Sequence, residues 1–155
     1  LTKFREMGTE LDVSADGGGV RVSVPRKLQP IQVQAVPYPG FPTDLHAPMA
    51  VALTQADGVS TIHERVFDNR TAYVGELRTM GAKIITGGQT VIIEGGTPLT
   101  GAAVRALDIR AGASVVIAGL VAGGETQVSG VDHLDRGYAH LAERLTALGA
   151  DVERR

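Results

Sequence analysis

One carboxylate and three guanidinium groups stand where chemistry is feasible. Asp44 closes the stretch Pro37-Tyr38-Pro39-Gly40-Phe41-Pro42-Thr43-Asp44, and an apolar run from Leu45 to Ala56 follows at once. Three prolines restrict the loop, and Pro42 biases Phe41 away from helical angles, so a helix is expected only after it. A carboxylate at such a junction can be aimed with little loss of entropy. It is either a helix cap or a reacting group. Arg70, Arg110 and Arg136 are each expected in the first turn of a helix, where the dipole opposes a cation by about 0.3–1 kcal/mol. Helix stability therefore does not account for them. Anion binding does, because free N–H groups at a helix start and a planar guanidinium both suit carboxylate or phosphate. Salt bridges within Asp108–Arg110 or Asp135–Arg136 are the equal alternative.

The elements that carry these residues repeat. Met7-Gly8-Thr9, Met80-Gly81-Ala82 and Leu148-Gly149-Ala150 recur about 70 residues apart, each reading as a helix end followed by a strand. Between them, Asp44-Leu45-His46-Ala47 matches Asp108-Ile109-Arg110-Ala111, and Asn69-Arg70 matches Asp135-Arg136. Gly58-Val59-Ser60-Thr61-Ile62 likewise matches Gly124-Glu125-Thr126-Gln127-Val128. The order implies duplication of a supersecondary module, with a tail of one module over 1–8 and modules over 9–81 and 82–155. Strands are expected near 10–14, 20–24 and 31–35, then 82–86, 90–94, 102–106 and 125–130. Helices are expected near 45–56, 70–80, 109–122 and 136–148. The class is α/β with mixed strands.

Two textures bear on packing. Val20, Val22 and Val24 alternate with polar residues, as do Ile31 and Val33, so one sheet face is wet. Ala111–Ala122 is apolar or small on every side, and a helix without a polar face is buried all round. Helices inside and sheets outside is the expected arrangement. Tyr138, Leu141, Leu145 and Leu148 form an ordinary one-sided stripe. In each module Asp44 or Asp108 opens the first helix, and Asn69 or Asp135 opens the second. Capping, at about 1 kcal/mol each, is the simplest reading of all four. Asp44 is set apart by the Phe41-Pro42-Thr43 lead-in, which its counterpart lacks.

Composition narrows the classes. The chain has 155 residues, a net charge of -2, 43% hydrophobic and 4% aromatic residues. No basic field draws it to nucleic acid or membrane, and no apolar run reaches the roughly 18 residues of a membrane span. It has no cysteine, so neither a disulfide nor a thiolate site arises within it. None of the four histidines is paired as a zinc site needs. His46 is expected to line the same cleft as Asp44, with His63 on a strand edge and His140 on a helix face. The Ala15-Asp16-Gly17-Gly18-Gly19 run reads as a hairpin loop. Leu1 to Met7 reads like the end of a helix, so the chain is expected to be a fragment.

Four motifs, in order, carry a resemblance. Pro39-Gly40-Phe41-Pro42-Thr43-Asp44, Arg65-Val66-Phe67-Asp68-Asn69-Arg70, Ala106-Leu107-Asp108-Ile109-Arg110-Ala111 and Leu134-Asp135-Arg136-Gly137-Tyr138 resemble the UDP-N-acetylglucosamine enolpyruvyl transferases. The likeness runs from end to end. It implies an inside-out α/β barrel of βαβαββ modules, with helices buried and sheets outside, of which this chain is the last third. It implies transfer of the enolpyruvyl group of phosphoenolpyruvate to the 3-hydroxyl of UDP-N-acetylglucosamine, the first committed step of peptidoglycan synthesis, in the cytoplasm and without cofactor or metal. By resemblance Asp44 is the base and binds the sugar, Val66 touches the nucleotide sugar, and Arg110 and Arg136 hold phosphoenolpyruvate. Arg70 is similarly placed. The partners implied are the two substrates and the missing N-terminal part of the enzyme. The fragment alone is expected to be inactive and to self-associate. His46 stands where glutamine is commoner, and Asp132 where tyrosine is usual. A non-catalytic module of the same fold, binding a sugar nucleotide or an anion, is the second reading.

Overall fold

The structure is a computed structural model that describes residues 1–24 and 27–154. The first helix, α1 (Thr2–Glu6), leads into an antiparallel hairpin of β1 (Glu10–Val13) and β2 (Val20–Ser23), closed by the glycine-rich loop. Then come β3 (Gln32–Ala35), α2 (His46–Thr54), β4 (Val59–Glu64), α3 (Tyr73–Thr79), β5 (Lys83–Gly87) and β6 (Thr90–Glu94). The last part is β7 (Ala103–Arg105), α4 (Ile109–Val121), β8 (Gln127–Ser129), α5 (Asp132–Asp135) and α6 (Leu141–Ala147). Among the described residues no helix is long and apolar enough to cross a membrane.

The central sheet has the order β3-β4-β6-β5. β3 runs parallel to β4, while β6 is antiparallel to both β4 and β5. Thus βαβαββ is the connectivity of this sheet, and the sheet crosses the repeat boundary near residue 81. β7 and β8 pair in parallel as β3 and β4 do, and β1–β2 is a hairpin as β5–β6 is.

Alternation sends one face of this sheet inward. Val33, Ala35, Ile62, Val91, Ile93 and Ile84 are all buried. α2 and α3 lie against this sheet and α4 packs on both helices, and seven of the nine residues of α2 are buried. Helices inside, sheet outside is therefore the observed arrangement. α4 is buried through Ala111–Val115 and Ala118, but Ile117, Leu120 and Val121 are exposed. The all-apolar sequence of this helix is covered along only part of its surface.

Several sequence expectations need correction. Val20, Val22 and Val24 are exposed, because among the described residues no layer covers the β1–β2 hairpin. The helix expected at 136–148 is broken: α5 ends at Asp135, and α6 begins only at Leu141, after His140 at φ 52. Gly137, in the segment between them, runs so close to α4 that an added Cβ would lie 2.0 Å from Ile109 Cδ1. The apolar stripe is correspondingly split, with Tyr138 and Leu141 packed and Leu148 exposed. His63 is on an interior strand, not an edge, and its Nδ1 lies 2.8 Å from Thr90 Oγ1. The repeat landmarks are helix ends in which Met7, Met80 and Leu148 cap and Gly8, Gly81 and Gly149 take positive φ, as residues just past a helix do. No strand follows Ala150 among the described residues.

Candidate functional site

The loop before Asp44 folds back on the end of β3. Val36 N–H donates to the Phe41 carbonyl at 3.2 Å, and Leu45 N–H donates to that of Pro42 at 3.0 Å. Pro42 is extended, and Thr43–Leu45 form a single 3-10 turn that runs into α2. Asp44 therefore starts the helical segment, but its side chain makes no capping bond. The capping expectation for Asp44 fails. Its Oδ1 instead accepts from Arg110 Nε at 2.5 Å.

Arg110 reaches that position from α4. Asp108 is an extended N-cap whose carboxylate accepts from the backbone N–H groups of Arg110 and Ala111 at 2.7 and 2.9 Å. Capping holds for Asp108, and it occupies the carboxylate that an Asp108–Arg110 salt bridge would have used. The guanidinium is free to cross to the other repeat. Asp44 is 68% exposed and Arg110 33%, and a solvated pair contributes only about 0–1 kcal/mol to folding. Stability is a weak reason for residues of two matched segments to meet here.

Arg70 approaches from a third direction. It lies in a turn before α3 and not in the first helical turn, because Asn69 adopts φ 59 and the helix starts only at Tyr73. Asn tolerates this left-handed conformation better than most residues, so Asn69 redirects the chain where a cap was expected. The guanidinium carbon stacks 4.5 Å from the Phe67 ring centre. Arg70, Arg110, Asp108, Thr43, His46 and Tyr73 line one small cavity of about 10 Å³.

Arg136 is the least integrated of the expected set. It caps the C-terminal end of α5, is exposed, and does not line that cavity. It is nonetheless tethered near α4, since Leu134 packs on Gly112 and Gly137 on Ile109. Asp135 is the last residue of α5 and not a cap for the next helix. It holds Arg154 through two bonds of 2.8 and 2.7 Å, so the Asp135–Arg136 bridge is not formed.

Beneath the arginines lies a polar layer that sequence reasoning only partly anticipated. His46 is 1% exposed, lines the cavity, which Asp44 does not, and has no hydrogen-bond partner at either ring nitrogen. It meets Tyr73 edge to face at 5.6 Å, and the Tyr73 hydroxyl is also buried without a partner. Burial pushes the His46 imidazole below its ordinary value, with the nearby Glu64 carboxylate and Arg70 carbonyl pulling the other way. A neutral buried histidine must gain a proton as the chain unfolds in acid. Its contribution to stability is therefore complete above about pH 6.5 and is lost as pH falls below that value. His46→Gln in the full-length chain should flatten the stability slope between pH 6.5 and 5, which is at most about 1.4 kcal/mol per pH unit. Thermal unfolding across that range measures it, and an unchanged slope rejects the assignment.

A family model described as EPSP synthase (3-phosphoshikimate 1-carboxyvinyltransferase) matches residues 1–145. The chain belongs to this EPSP synthase family. Among curated relatives, a UDP-N-acetylglucosamine 1-carboxyvinyltransferase 2 of Carboxydothermus hydrogenoformans is 47% identical over 154 residues, covering 99% of this chain and 37% of the relative. A UDP-N-acetylglucosamine 1-carboxyvinyltransferase 1 of Clostridium perfringens is 46% identical over 155 residues, with coverage of 99% and 37%. The chain thus spans just over a third of the length of these relatives. Among solved structures, the enolpyruvyl transferase NikO from Streptomyces tendae superposes with a TM-score of 0.88 at 29% identity, covering 98% of this chain and 35% of that one. EPSP synthase from Acinetobacter baumannii gives 0.70 at 22%, which speaks for the fold alone.

Within this EPSP synthase family segment, the residue that sequence reasoning missed is Glu64. It is 1% exposed on β4. Its Oε2 accepts from Thr43 Oγ1 at 2.7 Å, and its Oε1 accepts from Val66 N–H at 2.8 Å and Phe67 N–H at 3.3 Å. Burial alone would raise its carboxyl, but the Thr43 hydroxyl, these two N–H groups and His46 outweigh burial and hold it below the usual value. The only sequence signal was a charged residue at an inward position of an alternating strand.

Proposed function

We propose that the protein of which this chain is part transfers the enolpyruvyl group of phosphoenolpyruvate to the 3-hydroxyl of UDP-N-acetylglucosamine. The reading is that of a cytoplasmic enzyme of peptidoglycan synthesis. The observation that supports it best is the meeting of Asp44 and Arg110 from two repeats, with Arg110 and Arg70 lining one cavity. In this reading the reaction is an addition followed by an elimination. The sugar oxygen bonds to C2 of phosphoenolpyruvate while C3 gains a proton. C3 then loses a proton as phosphate leaves C2, which restores the double bond.

Asp44 takes the proton of the attacking hydroxyl, and a base must stand within hydrogen-bond reach of it. The prolines and the 3-10 turn supply that placement. Arg110 and Arg70 match the planar carboxylate and the phosphate of phosphoenolpyruvate, with Arg136 joining them from the end of α5. Val66, half-buried beside Glu64, supplies the contact to the nucleotide sugar. The test is phosphate release by the full-length chain carrying Asp44→Ala. The rate should fall by about 10²–10⁴-fold, and full activity would exclude the role. Binding of both substrates by a full-length chain with no turnover would favour the non-catalytic reading.

A further inference from the structure

The two loops that carry the proposed site do not touch their substrates from independent supports. Asp44 follows Thr43 at the entry to α2. Val66, Phe67 and Arg70 lie in the segment after β4. The Glu64 carboxylate is placed between them, with one oxygen on the Thr43 hydroxyl and the other on the Val66 and Phe67 N–H groups. We infer that Glu64 is a positioning residue of the transferase, a buried strut that sets the Asp44 side of the site against the Val66–Arg70 side. This inference rests on the transferase reading above.

Three observations carry it. First, a carboxylate that is 1% exposed on an inward strand face shared with Ser60 and Ile62 is costly to keep, and a valine or isoleucine would fill the same strand position. Second, each of its two oxygens is used by a different loop, so the geometry is that of a bridge and not of a local turn alone. Third, the segment it orders ends in Arg70, whose guanidinium rests on Phe67. Fixing the Phe67 backbone thus fixes the platform under Arg70. Asp44 and Val66 flank residues bonded to opposite oxygens of a single rigid group. Their separation is set by the carboxylate plane, which has no internal freedom beyond its own rotation.

The chemistry separates charge from shape. Glutamine keeps an oxygen for the two N–H groups and offers an N–H to the Thr43 oxygen. Alanine keeps neither. In the full-length chain, Glu64→Ala should lower kcat/KM for UDP-N-acetylglucosamine on the order of 10²-fold, the scale of a misplacement near 1 Å. Glu64→Gln should recover activity to within a few-fold. Thr43→Val, which unhooks only the Asp44 side, should lower kcat on the order of tenfold while KM for the nucleotide sugar moves little; it also leaves one oxygen of a buried carboxylate without its donor, so the melting temperature falls in either case and the kinetics decide. A purely structural role would lower the melting temperature but leave the kcat and KM of folded enzyme alone. Wild-type kinetics in Glu64→Ala, or a glutamine variant as poor as the alanine one, overturns the inference. If Glu64→Ala does not fold, Thr43→Val decides, and wild-type kinetics there overturns it. Should Asp44→Ala remain fully active, the transferase reading fails. Should Asp44→Ala be inactive while Thr43→Val is normal, only the strut fails.

Discussion

Replacing Arg110 with alanine in the full-length chain should lower kcat/KM for phosphoenolpyruvate by about 10²–10³-fold, the loss expected when a charged donor at a developing anion is removed. The dissociation constant for the nucleotide sugar should change little. The split follows from the geometry. Arg110 hangs from a helix whose N-terminus Asp108 caps through backbone bonds, so truncating the side chain leaves the cap intact. Asp44 keeps its own lead-in, because the Phe41 carbonyl and the Pro42–Leu45 turn hold the loop without Arg110. Lysine should restore only part of the loss, since it has charge but no fork. Steady-state kinetics with each substrate varied in turn, together with equilibrium binding of the nucleotide sugar, measure the effect. An equal loss for both substrates would mean that Arg110 serves mainly to orient Asp44.

A large stability effect is expected at Gly95, just beyond β6. A Cβ there would lie 2.2 Å from the Ala56 carbonyl oxygen and 2.6 Å from that of Leu53. Both are backbone atoms at the end of α2, and neither has a rotamer by which to yield. The same junction is tied by Gly95 N–H to Gly58 O and by Gly96 N–H to Thr54 O, each at 2.9 Å. Gly95→Ala must therefore separate the sheet from α2, and it should cost about 3 kcal/mol or more, beyond the usual range for overpacking by one methyl group. Gly75 is the internal comparison. It lies within α3, and an added Cβ meets nothing within 4 Å, so Gly75→Ala should stabilise by about 0.5–1 kcal/mol. Opposite shifts in thermal midpoint for these two substitutions are the expected result. A mild loss at Gly95 would show that the α2 terminus yields.

Much of this architecture is legible in the sequence because its signals are local. The expected strand at 90–94 coincides with β6, and the helix at 109–122 with α4 to within one residue. The all-round apolar character of α2 and α4 announces helices inside the sheet. The errors arise where distant contacts decide. The Asp135-Arg136-Gly137 sequence reads locally as a helix start, yet α5 ends at Asp135, Gly137 lies against Ile109 of another element, and the next helix begins only at Leu141. Asn69 passes for a cap by residue type alone, while its backbone is left-handed. Asp44 and Asp108 occupy matched positions, but only Asp108 caps. The partner that Asp44 takes lies 66 residues away, and no local pattern encodes that pairing. Glu64 is hidden for a related reason. Its value lies in joining two loops that are separate in sequence.

The offset between the repeat and the hydrogen-bonded sheet governs how such a chain divides. A break between Gly81 and Ala82, at the repeat boundary, parts β5 and β6 from β3 and β4. Each piece then carries one half of a five-pair seam that runs from Val59–Glu94 to His63–Thr90. Pieces cut there are complementary, as the halves of a split reporter are, and each is the template for the other. A break between β6 and β7 leaves the four-stranded sheet whole and parts the helices α2 and α4, and with them Asp44 and Arg110. One cut divides the scaffold and keeps a code for rejoining it. The other spares the scaffold, and both part Asp44 from Arg110.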